Sequence, residues 1–242
     1  MDRLTRHELK QDEFRASLDQ LEEYVRVHLN QILTLAILVI VVVGLAAGLK
    51  YYVDRQEASA NMDLASALNT FSAYVGTTSP NTPVPDLQSF PTAAKKYQRA
   101  LDQFNAIVLK YRMFPRPKAV AIALYYTGIC ESLLGNSAAA IHTLQEAAQD
   151  KDLGIAALAQ FALAGEFLKS GQTQDAVKIY QNLADHPSLT VPRASALLAI
   201  ADALKDSQPG QARQIYDQVQ KEFRSDPSIA EAMRQQTAQL AP

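Results

Sequence analysis

The residues best equipped for chemistry in this chain are four histidines, one cysteine and a few close carboxylate pairs. A metal site on a helix needs two imidazoles or thiolates about one turn apart, so that both reach one ion. His7, His28, His142 and His186 are scattered, and none has a second His or Cys at i, i+4. Acyl transfer on a strained Gly-x-Ser-x-Gly turn and phosphate binding by a glycine-rich loop each leave a motif, and neither motif occurs. Glu22-Glu23 and Asp150/Asp152 read as solvated helix surface. His142, beside Ala140–Ala147, reads as facing solvent or capping a packing edge. Cys130 ends the run Ala-Leu-Tyr-Tyr-Thr-Gly-Ile-Cys, where a thiol acts as a small hydrophobe, with a reactive or intermolecular thiol as the alternative. One cysteine forms no intrachain disulfide, so the fold must stand on its core. The expectation is a protein without catalytic residues, cofactor, metal or small-molecule substrate.

The elements around these residues explain more than the residues do. The net charge is −2, and residues 50–242 hold 18 basic and 18 acidic side chains. A nucleic-acid partner, which calls for a basic excess, is not expected. Trp is absent and Ala, Leu and Gln are common, a composition that favours helix.

Residues Ile32–Leu49 carry no charge, and twelve of the eighteen are Ile, Leu or Val. As a helix they extend about 27 Å, close to the roughly 30 Å hydrocarbon core of a bilayer. At about −0.5 kcal/mol per aliphatic residue, insertion is favoured by about 6 kcal/mol. Tyr24 and Tyr51-Tyr52 flank the run, where aromatic rings settle at interfaces. The pattern predicts one transmembrane helix over 32–50. A cleaved signal peptide is the alternative, with Ala46-Ala47-Gly48 as its site, but the run is long and follows 31 net acidic residues. Arg15 and Arg26 on one side balance Lys50 and Arg55 on the other, while Arg3, Arg6 and Lys10 lean the tail towards the cytoplasm. Within that tail, residues 1–31, Phe14, Leu18, Leu21, Val25 and His28 form one helical stripe. It either extends the membrane helix or docks on a cytoplasmic partner or lipid.

Residues 51–91 read as a helix, Asp54–Val75, and then a loop over 76–91 whose four prolines preclude a helix. Residues 92–242 read as a repeat. Ala100, Ala140, Ala176 and Ala212 recur at intervals of 40, 36 and 36. Four residues after each comes Phe104, Leu144, Tyr180 or Tyr216, and three further on Ile107, Ala147, Leu183 or Val219. Tyr111 and Phe223, then Pro115 and Pro227, extend the first and last copies. Small, large and medium side chains at i, i+4 and i+7 share one helix face, and the alanine admits a neighbouring helix closely. Other helices, Lys118–Leu134, Ile155–Lys169 and Arg193–Lys205, lie between them. Turns at Gly135-Asn136-Ser137, Ser170-Gly171-Gln172 and Asp206–Gly210 join the pairs. A last helix, Pro227–Gln239, is expected to cap the array.

This pattern resembles the tetratricopeptide repeat family, which uses helix pairs of 34 residues with small residues at the packing seam. The resemblance rests on Leu124, Gly128, Gly135, Ala140, Leu144 and Ala147 in one unit. In the next it rests on Leu163, Ala164, Phe167, Gly171, Ala176, Tyr180 and Leu183. No unit has the family's Trp, Glu131 stands where a bulky residue is expected, and the period is 36 or more. The fold class implied is all-α: one transmembrane helix, then a tetratricopeptide-like right-handed array of antiparallel helix pairs. The layout of tail, span, Lys-Tyr-Tyr and repeats also resembles the bacterial ancillary subunits of the Sec translocon, the YfgM-like group. That resemblance implies a bacterial inner membrane protein with a cytoplasmic N-terminus and a periplasmic repeat domain. Its implied function is an adaptor linking the translocon to periplasmic chaperones. A self-assembling scaffold, or an envelope or cell-division organiser, is the alternative.

In the family's geometry the first helix of each pair lines a concave face. This would place Ile122, Tyr125, Ile129 and Leu133 there from one unit, and Leu158, Phe161, Leu168 and Lys169 from the next. Ordinary core is the plainer reading for the aliphatic ones. Tyr125, Ile129, Phe161, Leu168 and Lys169 are the candidate partner-binding residues. Tyr125 and Lys169 lead because their polar ends suit a wet groove.

Overall fold

The structure, a computed structural model, describes residues 6–76, 89–113 and 116–224, with side chains from Arg26 onward except Ile32. The described residues are all-α apart from one pair of two-residue strands. The helices are α1 (Arg6–Phe71), α2 (Ala93–Lys110), α3 (Lys118–Leu133), α4 (Ser137–Ala147), α5 (Leu153–Lys169), α6 (Thr173–Asp185), α7 (Arg193–Leu204) and α8 (Pro209–Glu222). Strands β1 (Tyr74–Val75) and β2 (Ser89–Phe90) lie between α1 and α2. The chain divides into two compact units, Met1–Arg55 and Gln56–Pro242.

In the first unit the backbone is helical from Arg6 onward. The segment is long and apolar enough to cross a membrane, and none of its most apolar 18-residue window is buried. Thr34, the one hydroxyl in the run, donates to the Asn30 carbonyl at 2.7 Å. That bond satisfies the hydroxyl within its own helix. The side chains of Phe14, Leu18, Leu21 and Val25 lie outside those described, and His28 is half-buried.

The second unit begins earlier than the repeat pattern. Ala60, Leu64 and Ala67 of α1 are buried in one core cluster with Ala100, Phe104 and Ile107 of α2 and Val120, Ala123 and Cys130 of α3. At one end Asp63 accepts hydrogen bonds from Lys110 Nζ and Tyr111 OH, each 2.8 Å. At the other, the Phe71 ring lies 5.6 Å from Tyr97. The start of one helix segment thus meets the end of the other, so the two run antiparallel. The helix expected to stop at Val75 stops at Phe71, because Tyr74–Val75 pairs in parallel with Ser89–Phe90. Gly76 N–H donates to Phe90 O at 2.9 Å and closes the base of the proline-rich loop. The loop's interior, 77–88, lies outside the described residues, as does the cap expected at Pro227–Gln239.

All four seam alanines have no exposed surface, and Phe104, Leu144, Tyr180 and Tyr216 beside them are buried, as are Ile107, Ala147, Leu183 and Val219. The sequence period is therefore a packing period. From α2 onward each helix packs chiefly on its neighbours in the chain, and α3 also packs on α5. Antiparallel packing recurs in α7 and α8, where Arg193 meets Glu222 at 3.0 Å and Asp202 meets Tyr216 OH at 2.8 Å. The turns inside two pairs are the same device. Gly135 and Gly171 adopt φ of 83° and 76°, which glycine tolerates best. Asn136 N–H returns to Glu131 O and Gln172 N–H to Phe167 O, at 2.9 and 2.8 Å. These are the 6→1 bonds of a helix stop with a left-handed residue.

Gly128 is required for a different reason. A Cβ there would lie 2.7 Å from Leu144 Cγ and 2.8 Å from its Cδ2, and Leu144 is fully enclosed. Gly128→Ala should therefore destabilise the unit by about 1–3 kcal/mol in chemical denaturation, overpacking outweighing the gain in helix propensity. Gly165→Ala is the control, since its nearest neighbour is the Tyr180 hydroxyl at 3.8 Å, an ordinary contact.

Candidate partner-binding surface

Two helices, α3 and α5, carry the five residues that the sequence singles out. They run side by side in the same sense. Ser132, near the end of α3, donates to Glu166 Oε1 near the end of α5 at 2.5 Å. Lys169 Nζ donates to Ser132 Oγ at 2.7 Å and to Glu166 Oε1 at 2.6 Å. Glu166 is buried, while the Lys169 side chain remains 56% exposed.

The electrostatics of this triad decide its chemistry. Burial pushes the Glu166 carboxyl up. Hydrogen bonds from Lys169 and Ser132, the Lys169 charge and a bond from Ser137 outweigh burial, so the group sits below its usual range. A serine beside a lysine resembles a hydrolytic dyad, but such a dyad needs a neutral amine to take the serine proton. Here the carboxylate pairs with Lys169, and the Ser132 hydroxyl donates to that carboxylate rather than to the amine. The arrangement locks two helices and presents a fixed cation to solvent.

Tyr125 lies at the rim of an aromatic stack. Phe71, Phe104 and Tyr126 are mutually within 5.1–6.5 Å, and Tyr125 meets Tyr126 edge-on at 5.1 Å. Burial and then Tyr126 raise its phenol above the ordinary value, yet the residue is only half-buried. Ile129 is half-buried one turn further along α3, and Leu133, another turn on, is exposed. Phe161 and Leu168 take a different place. Both pack against the core of α5 to α8, with the Phe161 ring 5.0 Å from Tyr180. Ile122 and Leu158 are likewise partly buried against core clusters. The structure thus gathers Tyr125, Ile129 and Lys169 on α3 and its junction with α5. Phe161 and Leu168 lean towards α6 and α7.

Sequence reasoning missed Ser132 and Glu166. The available signal was a lone carboxylate in the apolar run Phe161–Leu168, three residues before a lysine that could neutralise it. Two further polar atoms on α3, Thr127 Oγ1 and Glu131 Oε2, are buried without a hydrogen-bond partner. Cys130 between them has no exposed surface, and burial followed by Glu131 pushes its thiol up to about 12. Among the described residues no three His, Cys, Asp or Glu side chains converge as metal ligands. No protein-family model, curated protein or solved structure matches the chain.

Two measurements check this geometry. Cys130 should resist a thiol reagent at neutral pH in the folded chain and react at once in denaturant, because so little thiolate forms and none is accessible. Glu166→Gln should cost about 1.5–3 kcal/mol at pH 7, the worth of hydrogen bonds to a charged group. A carboxyl depressed on folding adds stability above its unfolded value, near 4.5, and loses it as pH falls through the folded one. The gap between wild type and Glu166→Gln should therefore close in acid; a gap independent of pH would contradict the ion-pair account.

Proposed function

We propose that the protein is a membrane-anchored adaptor whose tetratricopeptide-like array of helix pairs binds other proteins. One observation carries the reading. A compact unit of stacked helices, built on a repeated seam, shares the helix α1 with a long apolar segment that buries nothing. Contiguous exposed apolar surface of that extent calls for a bilayer or a partner to cover it. Tethering by one span raises the effective concentration of the repeat unit near other membrane proteins. The tail is cytoplasmic and the repeat unit lies across the membrane, in this reading a bacterial inner membrane with the repeats in the periplasm.

The binding surface is the exposed side of α3 and α5. Tyr125 offers a half-buried aromatic anchor, Ile129 an apolar contact and Lys169 a cation held in place by Glu166. Anchors of this type carry most of the energy in protein interfaces, provided they are already ordered. By the layout's resemblance, the partners are translocon subunits and periplasmic chaperones.

Cross-linking and mild-detergent capture of the full chain from its native membrane tests this. Enrichment of translocon subunits and chaperones is expected, with Tyr125→Ala and Lys169→Glu reducing chaperone recovery while leaving the translocon in place. Recovery of the protein alone would contradict the adaptor reading and favour a self-assembling scaffold.

A further inference from the structure

Three exposed apolar side chains fall on the repeat period. Met113, Leu153 and Leu189 each lie thirteen residues after a seam alanine, at Ala100, Ala140 and Ala176. Met113 is 69% exposed, Leu153 79%, and Leu189 is fully exposed. Equivalent buried positions need no cause beyond packing. A large apolar group left in water at the same place in three successive units needs another.

The three lie on one edge of the second unit, at the starts of α3, α5 and α7. Ser132, Glu166 and Lys169 place the far ends of α3 and α5 together, so their starts are together too. Thr190 Oγ1 donates to Gly154 O at 2.8 Å, which joins the loop bearing Leu189 to the start of α5 beside Leu153. That loop is pinned further, Ser188 bonding to Thr190 and Val191 at 3.0 Å, so Leu189 is held outward. The loop bearing Met113 starts at Tyr111, which bonds to Asp63 on the early part of α1 within this unit. The same edge thus carries the point where the chain enters the unit at Gln56.

Its charge is uneven. Lys110, Arg112, Arg116 and Lys118 fall within nine residues that contain no acid. Lys110 is held by Asp63, whereas Arg112, Arg116 and Lys118 are exposed. Asp150 and Asp152 at the next loop accept from the backbone N–H groups of Asp152 and Gly154 at 2.9 and 3.0 Å, and Asp152 stays exposed, so the cationic excess lies at the Met113 end of the edge. An exposed Met113 flanked by the exposed cations Arg112, Arg116 and Lys118, in a row with two further exposed leucines, suits an interface of acyl chains and anionic headgroups. Only fourteen residues separate Leu49 from Asp63 in the sequence, so a span at Ile32–Leu49 would keep the second unit at high effective concentration at a bilayer.

We propose that this edge docks on the anionic headgroup surface of the bilayer through Met113, Leu153, Leu189 and the cations Arg112, Arg116 and Lys118. The proposal rests on the reading of Ile32–Leu49 as a membrane span. Docking would orient the array and leave the α3–α5 surface as the side offered to partners.

The test uses the full chain in nanodiscs containing phosphatidylglycerol and headgroup-spin-labelled lipid. An environment-sensitive dye goes on Met113→Cys, Leu153→Cys, Leu189→Cys or, at a turn on the opposite edge, Asn136→Cys. Buried Cys130 supplies the unlabelled background. Co-elution of chain and nanodisc is scored first; its failure overturns the membrane reading and the proposal with it. In loaded nanodiscs the three edge dyes should be quenched and the Asn136→Cys dye spared. Each of Arg112→Gln, Arg116→Gln and Lys118→Gln should weaken docking about fivefold, from the attraction per cation at an anionic surface. All-phosphatidylcholine nanodiscs, which remove the attraction of all three cations at once, should weaken docking about a hundredfold. Equal quenching at all four positions, or edge dyes unquenched in loaded nanodiscs as expected of a row reserved for a protein partner, overturns the proposal.

Discussion

The close approach of helices at the seam alanines is the constraint on which the rest of the repeat unit depends. Ala100, Ala140, Ala176 and Ala212 have no exposed surface, and each sits one turn before a large buried side chain. Interiors pack at near-crystalline density, so a seam with small and large residues in fixed order sets the helix separation and the register of the neighbour. Everything functional is referred to that register. The α3–α5 lock and the row of exposed side chains lie at helix ends, while the aromatic stack beside Tyr125 lies mid-helix on Phe104, one turn from the seam alanine Ala100. Gly128 is the most compressed case, a helix crossing with no room for a methyl group against Leu144.

Much of this was legible because it is written in the size and spacing of side chains. The seam positions, the glycine stops at Gly135 and Gly171 and the starts of α3 and α7 follow from residues close in sequence. Local chemistry fixes those features. What escaped was long-range. The sequence sets the helix Asp54–Val75 outside the repeat, yet Ala60, Leu64 and Ala67 join the same core as Phe104. A weak small-residue stripe does not announce its partner. Asp63 gives no local sign that it will receive Lys110 and Tyr111 forty-seven and forty-eight residues away. Of the five candidate residues, Phe161 and Leu168 pack against the core as well as facing outward. Aromatic and aliphatic side chains serve core and surface equally, and periodicity alone does not divide them.

The functional account is one of placement. On the proposed reading a bilayer covers the apolar segment that buries nothing in its own chain, and the second unit packs through its seam. The triad of Ser132, Glu166 and Lys169 fits this economy. A buried carboxylate is costly alone, but with a lysine it pins two helices and holds a cation at a defined point. Binding surfaces gain from such order, because fewer side chains must be immobilised when a partner arrives.

The seam can be tested by putting the same extra atoms in two places. Ala176 is enclosed between helices, whereas Ala139 on α4 is exposed. Ala176→Leu and Ala139→Leu would be compared by chemical denaturation of the full chain in micelles. The account predicts a loss of about 1–3 kcal/mol or more for Ala176→Leu and a change within about 0.5 kcal/mol for Ala139→Leu. Equal stability of the two variants would contradict it, because the seam would then tolerate side chains that its geometry leaves no room to hold.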